Sequence, residues 1–139
     1  MHLSIATSAY AEERRLLLIT KPDYKPSPLD KNELRRLFLG IPVYRKGERL
    51  IPLVNKSGDL CYQVFLQSIL GMSQKRYERV LVSGFYRQGV RSPTVYTSQD
   101  NLLLDLKNKK LGISFLFDND SGEEKNFNVV QEIWVSDTP

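Results

Sequence analysis

The residues of this chain best suited to chemistry lie in one short stretch, Lys56-Ser57-Gly58-Asp59, between an apolar run and a run with helical spacing. A glycine at such a junction lets backbone N–H groups turn outward, and the start of the following helix adds partial positive charge. An oxyanion there meets donors without any covalent step. Lys56 contributes a full positive charge. Arg87 and Arg91 follow in a segment broken by Gly84, Gly89 and Pro93. Their guanidinium forks suit two-point gripping of a phosphate or carboxylate. Asp59 works against the same reading. An ionised carboxylate only accepts hydrogen bonds and repels an anion at close range, so its role reads as the N-cap of the helix.

Other chemistries lack their residues. Cys61 is the single cysteine and His2 the single histidine, so no internal disulfide and no thiolate or imidazole zinc site is available. His2 stands at the extreme N-terminus, which leaves a serine or cysteine nucleophile without a base. Asp30 and Glu33 have the spacing of a capping box, and Asp118, Asp120, Glu123 and Glu124 read as a solvated turn, so no carboxylate pair is set for hydrolysis. Arg35-Arg36, Arg45-Lys46, Lys75-Arg76 and Lys107 to Lys110 fall at helix ends and turns, without the aromatic interleaving of a nucleic-acid surface. The expectation is a non-enzymatic protein with no cofactor, no metal and no nucleic-acid partner.

These residues need a scaffold. A chain of 139 residues, 41% apolar and 26% charged, is sized for one globular domain, and its net charge of +4 is only mildly basic. Residues 1–11, MHLSIATSAYA, are small and apolar and give way abruptly to Glu12-Glu13-Arg14-Arg15. Ala9-Tyr10-Ala11 has the small-x-small form of a signal-peptidase site. The segment therefore reads as the remnant of a secretion signal, with residues 12–139 as a single exported domain. No later run reaches the ~18 apolar residues of a membrane span.

Leu16 to Thr20 is a continuous apolar run that suits a buried, parallel strand. Pro22, Pro26 and Pro28 keep the chain extended up to Asp30, where a helix over 30–39 begins and Gly40 closes it. Lys46-Gly47 marks a turn before a strand at Leu50 to Val54, in which Pro52 argues for an edge or a bulge. A helix follows over 59–70, with Leu60, Val64, Leu66 and Ile69 as apolar positions and Gly71 at its end. Ser73 caps another helix with Tyr77, Val80 and Leu81 on one face. Residues 83–97 read as an exposed loop or an irregular strand. Phe85, Tyr86, Tyr96 and Trp134 read as packing residues, and Cys61 as a small buried one. A Leu-rich helix from Ser98, a strand at Gly112 to Phe117 and a last strand at Asn126 to Val135 complete an α/β order, a mixed sheet flanked by helices.

The succession ITKPDYKPSPLDKNELRRLFLG, RLIPLVNKSGDLCYQVFLQSILGMS, SGFYRQGVRSP and KKLGISFLF resembles the substrate-binding proteins of phosphate ABC transporters in their short form, over about Leu16 to Phe117. The resemblance implies one lobe of a type II periplasmic-binding-protein fold. It also implies a periplasmic location, phosphate or a related oxyanion as ligand, and a membrane transporter or sensor subunit as partner. In the resembled proteins the loop runs Ser-Gly-Thr, where this chain has Ser57-Gly58-Asp59. The chain is about half their usual length, so two arrangements stay open: a reduced domain acting alone, or a homodimer in which a second subunit supplies the opposing wall. A protein-interaction or sensory module that has lost the ligand is the alternative function.

Overall fold

A computed structural model describes residues 14–88, 90–118 and 126–136. The leader reading of residues 1–11 and most of the turn from Asp118 to Lys125 lie outside them. The element order is β1 (Arg15–Thr20), α1 (Lys31–Phe38), β2 (Tyr44–Arg45), β3 (Glu48–Arg49), β4 (Ile51–Asn55), α2 (Asp59–Phe65), one π-helical turn (Leu66–Leu70), α3 (Gln74–Gln88), β5 (Thr94–Tyr96), α4 (Gln99–Asn108), β6 (Gly112–Phe117) and β7 (Asn128–Val135). Five strands form one mixed sheet in the order β5-β4-β6-β1-β7, and β2 and β3 form a separate hairpin.

Local chemistry sets the ends of several elements. Asp30 accepts from the Glu33 N–H at 2.8 Å while Glu33 accepts from the Asp30 N–H at 3.1 Å, which is the reciprocal capping box that the spacing predicts for α1. Gly40 follows α1 at φ +85°, in the left-handed region that glycine enters without steric cost. Lys46 and Gly47, at φ +53° and +78°, make the tight turn between β2 and β3. The guanidinium of Arg45 then reaches back to both Glu33 oxygens at 2.8 and 2.9 Å, tying the hairpin to the start of α1.

The sheet departs from the sequence expectation in two ways. β1 is antiparallel to both of its neighbours, β6 and β7. Its apolarity on both faces reflects layers packed on each side of the sheet, and that burial says nothing about strand direction. β4 is an interior strand, parallel to β5 and β6, although it carries Pro52. Pairing with β5 begins only at Leu53, so Pro52 sits in the half of β4 that β5 does not reach. Its missing N–H therefore costs no ladder bond there.

Alternate residues of the sheet feed two cores. On one face Leu16, Leu18, Val54, Ile113 and Phe115 pack against α1, α2 and the π turn. There Phe65 stacks on Phe115 at 4.3 Å between centroids, and Phe38 meets Phe65 edge-on at 5.2 Å. On the other face Leu17, Ile19, Leu53 and Leu116 pack against Leu102 and Leu106 of α4. The buried hydroxyl of Ser114 donates to the Leu53 carbonyl at 2.6 Å, so this polar side chain in mid-strand is satisfied.

A third difference concerns residues 83–97. The helix begun at Ser73, whose Oγ accepts from the Arg76 N–H, runs on to Gln88 despite Gly84, and only Thr94–Tyr96 is strand. Cys61, Tyr77 and Tyr96 are buried and Trp134 packs beside Phe117, whereas Leu60 and Phe85 are largely exposed. The side chain of Tyr86 lies outside the described residues.

The Arg45 fork holds the Glu33 carboxyl down to about 2, from an ordinary value of 4.5, against a smaller opposing effect of desolvation. A depressed folded-state value stabilises the fold at pH above the unfolded value and is lost as pH falls through the folded one. Stability should therefore decline between about pH 4.5 and pH 2 in wild type. Glu33→Gln should lose about 1 kcal/mol at neutral pH, Glu33 being partly exposed, and should flatten that acid limb. Urea unfolding across this pH range measures both.

Candidate functional site

The carboxyl ends of the three parallel strands define one edge of the sheet. β4 is flanked by β5 on one side and, after α4, by β6 on the other. The connections leaving β4 and β5 pack on opposite faces of the sheet, the β4–β5 connection through α2 and the β5–β6 connection through α4, so the carboxyl end of β4 is the switch point at which open α/β sheets bind ligands. The Lys56-Ser57-Gly58 loop stands at that point.

Asn55 shapes the loop. The side chain is buried at the last position of β4, and its Nδ2 donates to the Phe115 carbonyl of β6 at 2.9 Å. Its Oδ1 accepts from the Ser57 N–H at 3.0 Å and from the Ser57 hydroxyl at 2.6 Å. The Lys56 N–H donates to the Tyr96 carbonyl at 2.7 Å, which fixes the loop to the end of β5. The Lys56 ammonium lies 5.3 Å from the centroid of the Tyr62 ring, held over the side of α2.

Gly58, not Asp59, is the N-cap of α2. It has extended φ and ψ of −129° and 134°, its carbonyl accepts from the Tyr62 N–H at 3.0 Å, and no side chain caps the helix. The expectation that Asp59 caps is therefore corrected. Asp59 is the first helical residue and is exposed, where its charge complements the helix dipole without closing the helix start. Neither backbone nor space demands glycine at 58. Its φ is one any residue adopts, and a Cβ would meet only the Cys61 Cβ at 3.9 Å. What glycine does here is leave the first helical N–H groups without a side-chain acceptor, open to whatever occupies the edge. The Ser57 N–H and hydroxyl proton, in contrast, are already committed to Asn55.

Lys56, Ser57, Gly58 and Asp59 thus come together, and Arg91 does not join them. The register of Leu53 with Thr94 sets Arg91 level with Leu50, at the amino end of β4. Asn55 is five residues further along, roughly 16 Å at strand rise. Arg91 lines a different cavity, with Gly40 and Arg49. Arg87 lies in the last turn of α3, and its side chain lies outside the described residues. Strand direction explains why Arg91 stands apart: its segment precedes β5, while the Lys56–Gly58 loop follows β4.

A cation absent from the sequence expectation does lie at the carboxyl edge. Arg14 precedes β1, whose amino end pairs beside Phe117 at the end of β6, and its guanidinium sits 5.3 Å from the centroid of that ring. Its N–H donates to Ser136 Oγ at 2.9 Å and its carbonyl accepts from the Ser136 N–H at 2.8 Å, so the two ends of the described fold exit side by side at this edge. The pair Arg14-Arg15 carries the signal. Alternation along β1 puts the two on opposite faces, and Arg15 pairs instead with Asp118 and Glu132 at 3.6 and 3.3 Å. Among the described residues no group of three metal-ligating side chains forms, and no helix is long and apolar enough to cross a membrane.

No family model matches the chain, and no curated protein matches it in sequence. Solved structures do match in fold. An ABC-type phosphate transport receptor from Vibrio cholerae aligns with a TM-score of 0.60 at 8% identity, over 86% of this chain and 46% of that one. PstS from Borrelia burgdorferi aligns at 0.58 and 14% identity, over 85% and 47%. A possible phosphate binding protein from Planctomyces limnophilus DSM 3776 aligns at 0.55 and 11% identity, over 85% and 41%. The chain has a periplasmic-binding-protein-like α/β fold and spans less than half the length of each of these proteins.

Removal of the Asn55 side chain takes away three hydrogen bonds and leaves the Phe115 carbonyl buried without its donor. Asn55→Ala should cost about 2–3 kcal/mol by urea unfolding, well beyond the effect of Ser57→Ala.

Proposed function

We propose that this chain is a non-enzymatic, solute-binding lobe related to the substrate-binding proteins of phosphate ABC transporters, and that it takes phosphate or a similar oxyanion at the start of α2. The observation that carries this reading is the uncapped helix start at Gly58, set at the carboxyl ends of the parallel strands in a fold shared with phosphate-binding receptors. The donors are the N–H groups of Gly58, Asp59 and Leu60. Lys56 and Arg14 supply positive charge along the same edge. Binding is reversible capture, in which partial charges of the helix start and two cations offset the cost of drying the anion. Asp59 lowers the affinity by like-charge repulsion.

The short chain supplies one wall of such a site. Arg14 and Ser136 pair along the same edge of the sheet, where a second subunit closes over the anion. Export to the periplasm and a membrane transporter or sensor as receiver complete the proposal. The same fold serving only as a protein-interaction module is the second reading, and it is the exposed carboxylate of Asp59 at the loop that favours it.

Calorimetric titration with inorganic phosphate, and sulfate at equal ionic strength as control, separates the two. A saturable phosphate response is expected. Asp59→Ser should tighten it. Gly58→Ser is the sharper variant: a capping hydroxyl should raise stability by a few tenths of a kcal/mol while weakening phosphate binding, because it occupies the N–H groups the anion needs. A flat titration for wild type and Asp59→Ser alike would give the site to a protein partner.

A further inference from the structure

The amino end of the parallel strands carries a second concentration of positive charge. β5 stops short of the start of β4, and Pro52 cannot extend the ladder toward it, so residues 91–93 leave a gap beside Ile51 and Pro52. The gap is a cavity of about 250 Å³, lined by Arg49, Pro52, Arg91, Ser92 and Pro93 among others.

Among the described residues no carboxylate stands within ion-pair distance of Arg49 or Arg91; Glu48, the neighbour of Arg49 in β3, pairs with Lys110. Arg49 makes one long hydrogen bond, 3.4 Å, to the Gly40 carbonyl. Two like charges lining one small cavity repel each other, and an anion between them reverses the sign of the interaction.

The cavity wall is also held in place. Gly40 closes on the 90–91 backbone so tightly that a Cβ there would stand 2.6 Å from the Arg91 carbonyl oxygen and 2.7 Å from Val90 Cγ1. The Val90 N–H donates in turn to the Gly84 carbonyl at 3.3 Å. Arg91 therefore projects from backbone that packs directly against Gly40.

We propose that Arg49 and Arg91 form an oxyanion site separate from the Gly58 edge, taking a small molecule that bears a carboxylate or phosphate group. The volume admits a compact ion of a few heavy atoms and falls below the range of larger ligands. The two prolines of the lining suit a short hydrocarbon stem beside the charged group. The site does not depend on the Gly58 reading, from which it lies a strand's length away.

Amide-resolved NMR titrations of the full chain with inorganic phosphate and, separately, succinate at constant ionic strength test it. Saturable shifts are expected at Gly40, Arg49, Arg91, Ser92 and Thr94 with at least one of the two anions, and the preferred anion identifies the headgroup. Arg91→Gln and Arg49→Gln should each weaken this response by about tenfold or more, with the remaining spectrum preserved. Neither should alter phosphate shifts at Gly58 to Leu60. Absence of saturable shifts at these five residues with both anions, or shifts that persist in the Arg49→Gln/Arg91→Gln double variant, would overturn the proposal. Phosphate shifts confined to Gly58–Leu60, with no succinate shifts at the five residues, would overturn it while leaving the first site standing.

Discussion

One buried amide organises the functional edge. The Asn55 Nδ2 reaches across to β6 and its Oδ1 gathers both donors of Ser57, so a single side chain joins strand pairing to loop shape. A buried amide group left half-satisfied would be costly, and here every contact it makes serves the turn from β4 into α2. Because Ser57 is spent on Asn55 and glycine follows, the helix starts bare. An ordinary Ser or Asp at the cap would make a more stable helix and a closed one.

The rest of the fold secures that edge from both sides of the sheet. The stacked pair Phe65 and Phe115 joins α2 to the same β6 residue whose carbonyl receives the Asn55 amide. On the opposite face Leu53 and Leu116 rest on α4, with Ser114 tied to the Leu53 carbonyl. Tyr77 is pinned by its hydroxyl to the Phe38 carbonyl at 2.6 Å, and burial raises its ionisation well above the ordinary range. The layers hold the strand ends rigidly, while the residues that would touch a ligand are carried on the connection between them.

Features governed by neighbours in sequence are legible in the chain itself. The Asp30–Glu33 box, the left-handed Gly40 and Gly71 and the Lys46-Gly47 turn all follow from local chemistry, and all occur where the residue types put them. The features that local chemistry misplaces are long-range. The apolarity of β1 records burial on two faces and carries no information on strand direction. Gly84 does not break α3, since one glycine costs a helix only about 1 kcal/mol. Arg91 and the Lys56–Gly58 loop both lie next to a β-strand, yet one precedes its strand and the other follows, which a linear reading does not separate. Asn55 looks like the first residue of a polar loop, and only the register with β6 reveals its buried partner.

The central claim is that the bare start of α2 receives an oxyanion, and amide hydrogen exchange reads those N–H groups directly. With saturating phosphate the amides of Gly58, Asp59 and Leu60 should exchange more slowly, while that of Ser57, already bonded to Asn55, should keep its rate. Unchanged exchange at Gly58–Leu60 under saturating phosphate would contradict the account.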